Sequence, residues 1–326
     1  MTLYFTTFIF VHKKWKKFDI IHKKRYDKSN WITKLQGGHM TIEKFEIYSE
    51  KKKLQGRKYL ANVEKQKKKT ILMCHGFAGI QDLFFPSYAE KFVEEGFDVI
   101  TFDYNGFGES EGTTEIVPNH QIQDILNIIL YIKRDEILQE NKLFLWGTSL
   151  GGLYVLKVAT LSKEIAGIYA QITFANGLRN NTLGLDEEGV QKYINQIENI
   201  KYKEIKDNKV LLLPLKRLLS DEQSKAFLED YKDIFPELMA TKLSLSTIKQ
   251  INELCIDNDL AMIQVPVLLG KAMQDKVNSP MEMNFIYDHL QSDKKLLELD
   301  CGHYEIYVGE AFEKAIQEQI SWFEKI

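Results

Sequence analysis

The sequence predicts an α/β protein: a doubly wound, mostly parallel sheet that carries a helical cap insertion. Three observations predict it. Short apolar runs alternate with helical segments, the pattern of parallel strands joined by crossover helices. The runs are apolar at successive positions, as from Ile71 to Cys74, which fits strands buried on both faces. The alternation stops between about Leu178 and Ala261 and then resumes. Residues 178–261 therefore read as a cap inserted into a core made of residues 40–177 and 262–326.

The elements follow in order. Phe45–Tyr48 and Lys58–Val63 read as two strands around a lysine-rich turn, and Thr70–Cys74 as a third that ends at His75-Gly76. Residues 84–95 place Tyr88, Phe92 and Val93 on one helical face, with Gly96 as the stop. Asp98–Phe102 is the next buried strand. Pro118 opens a helix in which Ile122, Ile125, Leu126, Ile129 and Ile132 keep helical spacing. Lys142–Trp146 reads as a strand and residues 150–161 as the helix after it. Ala166–Ile172, Val265–Gly270 and Lys295–Leu299 complete the sheet, and a helix from about Glu310 to Phe323 closes the chain.

Composition excludes several classes. A net charge of −3 gives no general pull toward nucleic acid. Cys74, Cys255 and Cys301 are an odd count without metal-ligand spacing, which fits a reducing cytoplasm better than a disulfide framework; the triad chemistry read below implies no metal or organic cofactor. No apolar run approaches the roughly 20 residues that span a bilayer. Charge is uneven, however. Residues 1–39 carry a net +7 and the remainder −10. Gln36 to Met40 can be encoded by a purine-rich, ribosome-binding-like stretch before an ATG. The expectation is that Met40 is the native start and that residues 1–39 are a non-native or disordered basic leader. The alternative is a basic membrane-surface arm with Trp15, Phe18 and Trp31 among its lysines.

The chemistry centres on Gly147-Thr148-Ser149-Leu150-Gly151. A strand that turns sharply into a helix at G-x-S-x-G lifts the serine hydroxyl to the edge of a sheet, and the glycines relieve the crowding of so tight a turn. A free hydroxyl is a poor nucleophile and requires a base and an acid. His303 follows the late strand 295–299 beside Gly302 and is the base candidate. Asp275 follows the strand 265–270 and is the acid candidate, ahead of Asp257 and Asp259, which precede that strand, and of Asp300, which lies too close to His303. Backbone N–H groups of Leu150 and of Phe77, in the loop after Thr70–Cys74, are the expected oxyanion donors. His75 reads as a loop-shaping residue, Asp103 as an acceptor for loop amides, and Tyr104 as a side chain within reach of the pocket. Cys74 and Cys301 read as small buried residues.

Taken together, His75-Gly76-Phe77, the loop from Asp103 to Ser110, Gly147 to Gly152, Asp275 and Gly302-His303 resemble the α/β-hydrolase superfamily, whose order of nucleophile, acid and base is the one found here. Phe102 to Gly112 and Gly302 to Tyr307 resemble the branch that includes peptidase S15-like enzymes, dienelactone hydrolase-like enzymes and fungal polyketide acyl transferases. Asn105 stands where many relatives carry arginine, and Ser149 stands where true dienelactone hydrolases carry cysteine.

The resemblance and the residues together predict a hydrolase that cleaves a carboxylic ester through an acyl-enzyme. A small-molecule acyl compound is the expected partner, and a homodimer is the assembly to be tested. Three alternatives stay open: a thioesterase or acyl transferase with the same triad, an S15-like aminopeptidase that reads a free amino terminus through cap acids such as Asp186, Glu187, Glu188, Glu229 or Asp230, and a binding protein without activity on the same fold.

Overall fold

A computed structural model of the protein describes residues 32–35 and 38–326. The expected leader, residues 1–39, lies outside the described residues except for 32–35 and 38–39. These belong to strands β1 (Ile32–Leu35) and β2 (Gly38–Ser49), which pair antiparallel across Met40.

β3 (Lys52–Leu60) continues the antiparallel edge, followed by β4 (Lys69–Cys74), α1 (Phe85–Glu94), β5 (Asp98–Phe102), α2 (Pro118–Ile132), β6 (Lys142–Thr148), α3 (Leu150–Leu161) and β7 (Ile165–Gln171). The segment after β7, where the cap is expected, contributes α4 (Gly177–Asn181), α5 (Glu187–Lys206), β8 (Leu212–Pro214), α6 (Leu215–Leu218), α7 (Glu222–Tyr231), α8 (Pro236–Met239), β9 (Lys242–Ser244) and α9 (Ser246–Asn252). β10 (Val267–Ala272), α10 (Pro280–His289), β11 (Lys294–Leu299) and α11 (Gly309–Lys325) complete the core. The main sheet runs β1-β2-β3-β5-β4-β6-β7-β10-β11, and every pair from β5 to β11 in that order is parallel.

The sheet is covered on both sides, which explains the uninterrupted apolar runs. Leu72, Cys74, Leu143 and Leu145 face one core with Ile125 and Ile129 of α2 and Leu153 of α3. Their neighbours Ile71, Met73, Phe144 and Trp146 face the other core with Tyr88 and Phe92 of α1 and Phe312 and Phe323 of α11. The indole N–H of Trp146 is buried and donates to Gln319 Oε1 at 2.8 Å, so this polar atom costs little.

One expectation is corrected. The strand expected at Lys58–Val63 is instead Lys52–Leu60. Glu50 and Lys51 take φ of 47° and 67°, the two-residue hairpin turn that suits twisted strands, so Lys52 already pairs with Ser49. The chain leaves the sheet after Leu60, and Val63 is 86% exposed. In the cap, Leu212–Pro214 is a strand paired antiparallel with Lys242–Ser244, while Val210, Leu211 and Leu212 are exposed.

Strand order positions the site. β5 lies on one side of β4 and β6 on the other, so the loops after β4 and β6 flank the crevice where the connections reverse direction, and such crevices hold ligands in open α/β sheets. Cys74 is in register with Gly147, and Thr148 with Gln171, so His75 and Ser149 leave the sheet at the same edge.

Candidate active site

Ser149 occupies the turn between β6 and α3 at φ 53° and ψ −126°, a conformation that L-residues rarely adopt. Close backbone packing explains the glycines around it. A Cβ at Gly147 would lie 2.4 Å from the Gly151 carbonyl oxygen, and one at Gly151 would lie 2.4 Å from that of Cys74. Strain is concentrated here: Ala78, Phe84 and Ile172 also take positive φ, of 53°, 65° and 46°.

The acid and base candidates meet. His303 Nδ1–H donates to Asp275 Oδ2 at 2.7 Å, and both side chains are buried. An ionised carboxylate only accepts, so this contact puts the proton on Nδ1 and leaves Nε2 with a lone pair. The other carboxylate oxygen, Asp275 Oδ1, accepts from the backbone N–H groups of Val277 at 2.8 Å and Asn278 at 2.9 Å. His303 and Ser149 line one cleft. The hydroxyl itself is engaged elsewhere: Asn278 Nδ2 donates to Ser149 Oγ at 3.2 Å, and among the described residues no hydrogen bond joins Ser149 to His303.

Phe77 follows Gly76 in the loop after β4, and Leu150 opens α3. Neither backbone N–H donates to a protein acceptor among the described residues. Both lie beside Ser149, since a Cβ at Gly76 would come within 2.9 Å of Ser149 Cβ. Beneath this loop His75 packs edge-on against Tyr104, with ring centroids 4.7 Å apart, and burial pushes its imidazole down to about 4. Asp103 joins two loops by accepting from the N–H groups of Gln81 at 2.7 Å and Glu109 at 3.0 Å. Burial pushes its carboxyl up to about 6. Tyr104 is fully buried and does not line the cleft, contrary to the expectation that it is within reach. Cys74 and Cys301 are buried, and burial raises both thiols, Cys301 to about 12, which makes them poor thiolates.

The model of the serine aminopeptidase S33 family matches residues 65–307. The chain belongs to this family. A relative from Escherichia coli, described as an uncharacterized 31.7 kDa protein in the traX-finO intergenic region, is 36% identical over 258 residues, which are 78% of this chain and 90% of that protein. The quorum-quenching protein AidA of Acinetobacter baumannii is 27% identical over 267 residues, 78% of this chain and 86% of AidA. Among solved structures, DcsB in complex with its substrate analogue superposes with a TM-score of 0.75 at 19% identity, covering 87% of this chain and 99% of DcsB. The chain is thus an enzyme of the α/β-hydrolase fold, and hydrolysis is the chemistry of its family. The S15-like branch expected from the loops rests on those loops alone.

This S33-family chain closes its cleft with side chains from both halves. Phe77, Ile80, Leu83 and Phe84 come from the loop after β4; Leu215, Leu219, Phe227, Leu238 and Met239 come from the cap. Apart from His75 and His303, no acidic or basic side chain lines it among the described residues. Two aromatic stacks brace the walls. Tyr307 lies on Phe84 at 4.2 Å and its hydroxyl meets Thr148 Oγ1 at 2.5 Å, while Tyr304 lies on Phe227 at 4.2 Å. Sequence reasoning missed Asn278 and the cap contributors, because nothing in their local pattern sets them apart. Among the described residues no helix is long and apolar enough to cross a membrane.

Proposed function

We propose that the chain is a serine hydrolase that cleaves carboxylic esters of apolar acyl groups through an acyl-enzyme, with residues 178–261 as the cap that encloses the acyl portion. Ser149 Oγ attacks the ester carbonyl and passes its proton to His303 Nε2, while Asp275 holds the imidazole and offsets the charge of the imidazolium. The N–H groups of Phe77 and Leu150 receive the developing oxyanion. The imidazolium then protonates the departing alkoxide. Water, deprotonated by His303, attacks the acyl-enzyme, and collapse releases the acid and restores Ser149.

One observation carries the choice of substrate class. Beyond the reacting groups, His75 and Thr148, the cleft is lined by aromatic and aliphatic side chains and glycines, and among the described residues no carboxylate, lysine or arginine lines it. An aminopeptidase must balance the charge of a free amino terminus. None of the cap acids expected to do so lines the cleft: Asp186, Glu187, Glu188 and Glu229 are exposed, Glu229 paired with Lys232, and Asp230 is half-buried outside the lining. Burying an ammonium in such a cleft without a partner is strongly unfavourable.

Turnover of chromogenic esters, acyl thioesters and aminoacyl anilides of graded chain length tests the reading, with Ser149→Ala beside the native chain. Ester hydrolysis that disappears in Ser149→Ala supports it. Activity that survives the substitution overturns the mechanism, and a preference for thioesters or anilides overturns the substrate class.

A further inference from the structure

We propose that Gln223, on the cap helix α7, is a positioning residue that clasps the loop bearing Asp275 to the loop bearing His303, so that the seat of the cap sets the aim of the base. The inference rests on the serine-hydrolase reading above and adds to it a link between cap and chemistry.

The side-chain amide of Gln223 meets three backbone groups on two loops. Its Oε1 accepts from the N–H of Lys276 at 3.1 Å and from the N–H of His303 at 3.2 Å. Its Nε2 donates to the carbonyl of Gln274 at 2.8 Å. Residues 274 and 276 flank Asp275, and residue 303 is the base candidate itself. Among the described residues, the backbone bonds Met273 N–H to Leu299 O and Gln274 N–H to Cys301 O, each at 2.9 Å, and a side-chain bond from Gln274 Nε2 to Asp300 Oδ1 at 2.6 Å also join these segments, but none of them reaches His303. Gly302 admits the clasp, since a Cβ there would fall 2.4 Å from Gln223 Nε2.

An amide is the group this position requires. It accepts two N–H bonds and donates one to a carbonyl, whereas a carboxylate accepts only and an aliphatic chain does neither. Two further residues of α7 hold the same loop: Ser224 Oγ lies 3.0 Å from the Tyr304 hydroxyl, and Phe227 stacks on the Tyr304 ring. Phe227 is four residues after Gln223, hence on the same helical face, and it also lines the cleft. A group bound against Phe227 therefore bears on the helix that holds His303.

The test compares native chain, Gln223→Ala and Gln223→Glu by three readouts: ester kinetics, the pH dependence of Ser149 labelling by a fluorophosphonate, and the proton resonance of His303 Nδ1–H. In Gln223→Ala we expect kcat to fall by up to about 100-fold, the scale of a small misplacement of a reacting group, with KM changed less than about threefold. Labelling falls in parallel, and the Nδ1–H resonance weakens through exchange. Gln223→Glu keeps both acceptor bonds and places a second carboxylate near the imidazole, so its labelling profile shifts to higher pH. Native-like kcat, labelling and resonance in folded Gln223→Ala overturn the proposal. If Gln223→Ala does not fold, an unshifted profile and native resonance in Gln223→Glu overturn it instead. A native chain that shows the resonance but neither labels nor turns over refutes the hydrolase reading, and the resonance in the variants still decides the clasp.

Discussion

Asn278 donates through one amide nitrogen to Ser149 Oγ at 3.2 Å and to the Ile172 carbonyl at 2.7 Å. The same group thus steadies Ser149 and a β-branched residue, Ile172, held at φ 46°. Its carbonyl oxygen accepts from Asn180 of α4 at 3.2 Å, which ties the root of the cap to the elbow. Asn278→Ala removes a buried donor and leaves the Ile172 carbonyl without it, a loss of about 1–3 kcal/mol. Denaturant unfolding should show that loss, and fluorophosphonate labelling of Ser149 should slow by roughly tenfold, equivalent to about 1.4 kcal/mol. A native unfolding midpoint with native labelling would show that this bond does not matter.

Asp275→Asn preserves shape but allows the side chain to present an N–H toward His303 Nδ1, which favours the wrong tautomer. By analogy with such triads, kcat should fall by about 10⁴-fold with the fold intact. His303→Gln should fall at least as far. Steady-state kinetics beside circular dichroism measures both. An Asp275→Asn enzyme within tenfold of native would transfer the acid role to another carboxylate.

His75 gives the pH dependence of stability a definite sign. Its folded pKa is about 4, below the ordinary value near 6.5 that the unfolded chain regains. The unfolded state then binds a proton that the native state excludes, so this stability is complete above pH 6.5 and is lost as pH falls through 4. Between pH 7 and 4.5 the contribution is about 2–3 kcal/mol. Asp103, with its carboxyl raised to about 6, has the opposite sign: its contribution is complete below the ordinary carboxylate value and is lost as pH rises through 6. The difference between native chain and His75→Gln in unfolding free energy across this range isolates His75, and it should narrow steadily as pH falls. Parallel curves would place the proton elsewhere.

The core was legible because burial on both faces leaves an apolar run that no loop imitates, as in β4 and β6. The elbow was legible because Gly147 and Gly151 have no room for a side chain. Chain order and their place after β10 and β11 mark Asp275 and His303 as candidates, and the two side chains meet. Other features depend on contacts that local pattern does not encode. The start of β3 is masked by charge: Lys53 pairs with Glu46, and the buried Arg57 pairs with Asp82. Gln223 and Asn278 lie 80 and 129 residues from the groups they hold, His303 and Ser149, and a single polar side chain at such a distance has no periodic signature. The ribbon of β8 and β9 joins segments with three helices between them, and each strand is only three residues long, too short for a periodic signature.

The apolar walls predict a dependence on acyl length. Each methylene that moves from water into the cleft contributes about 0.8 kcal/mol, or roughly fourfold in kcat/KM, until the space between Phe84 and the cap is filled. Longer chains should then gain nothing or lose. Met239, half-buried on the cap side of the cleft, is a site where this limit can be moved. Met239→Trp adds volume without charge and should shift the optimum to shorter acyl groups, while the smallest esters keep native kcat because Ser149, Asp275 and His303 are untouched. Leu238→Asp, on the same short helix, should depress kcat/KM for long-chain esters more than for short ones, since a carboxylate facing the acyl chain must be desolvated. Profiles of kcat/KM against chain length for the three proteins measure both effects. Identical optima in all three would mean that the acyl group does not lie between Phe84 and α8, and that the cap encloses the leaving alcohol instead.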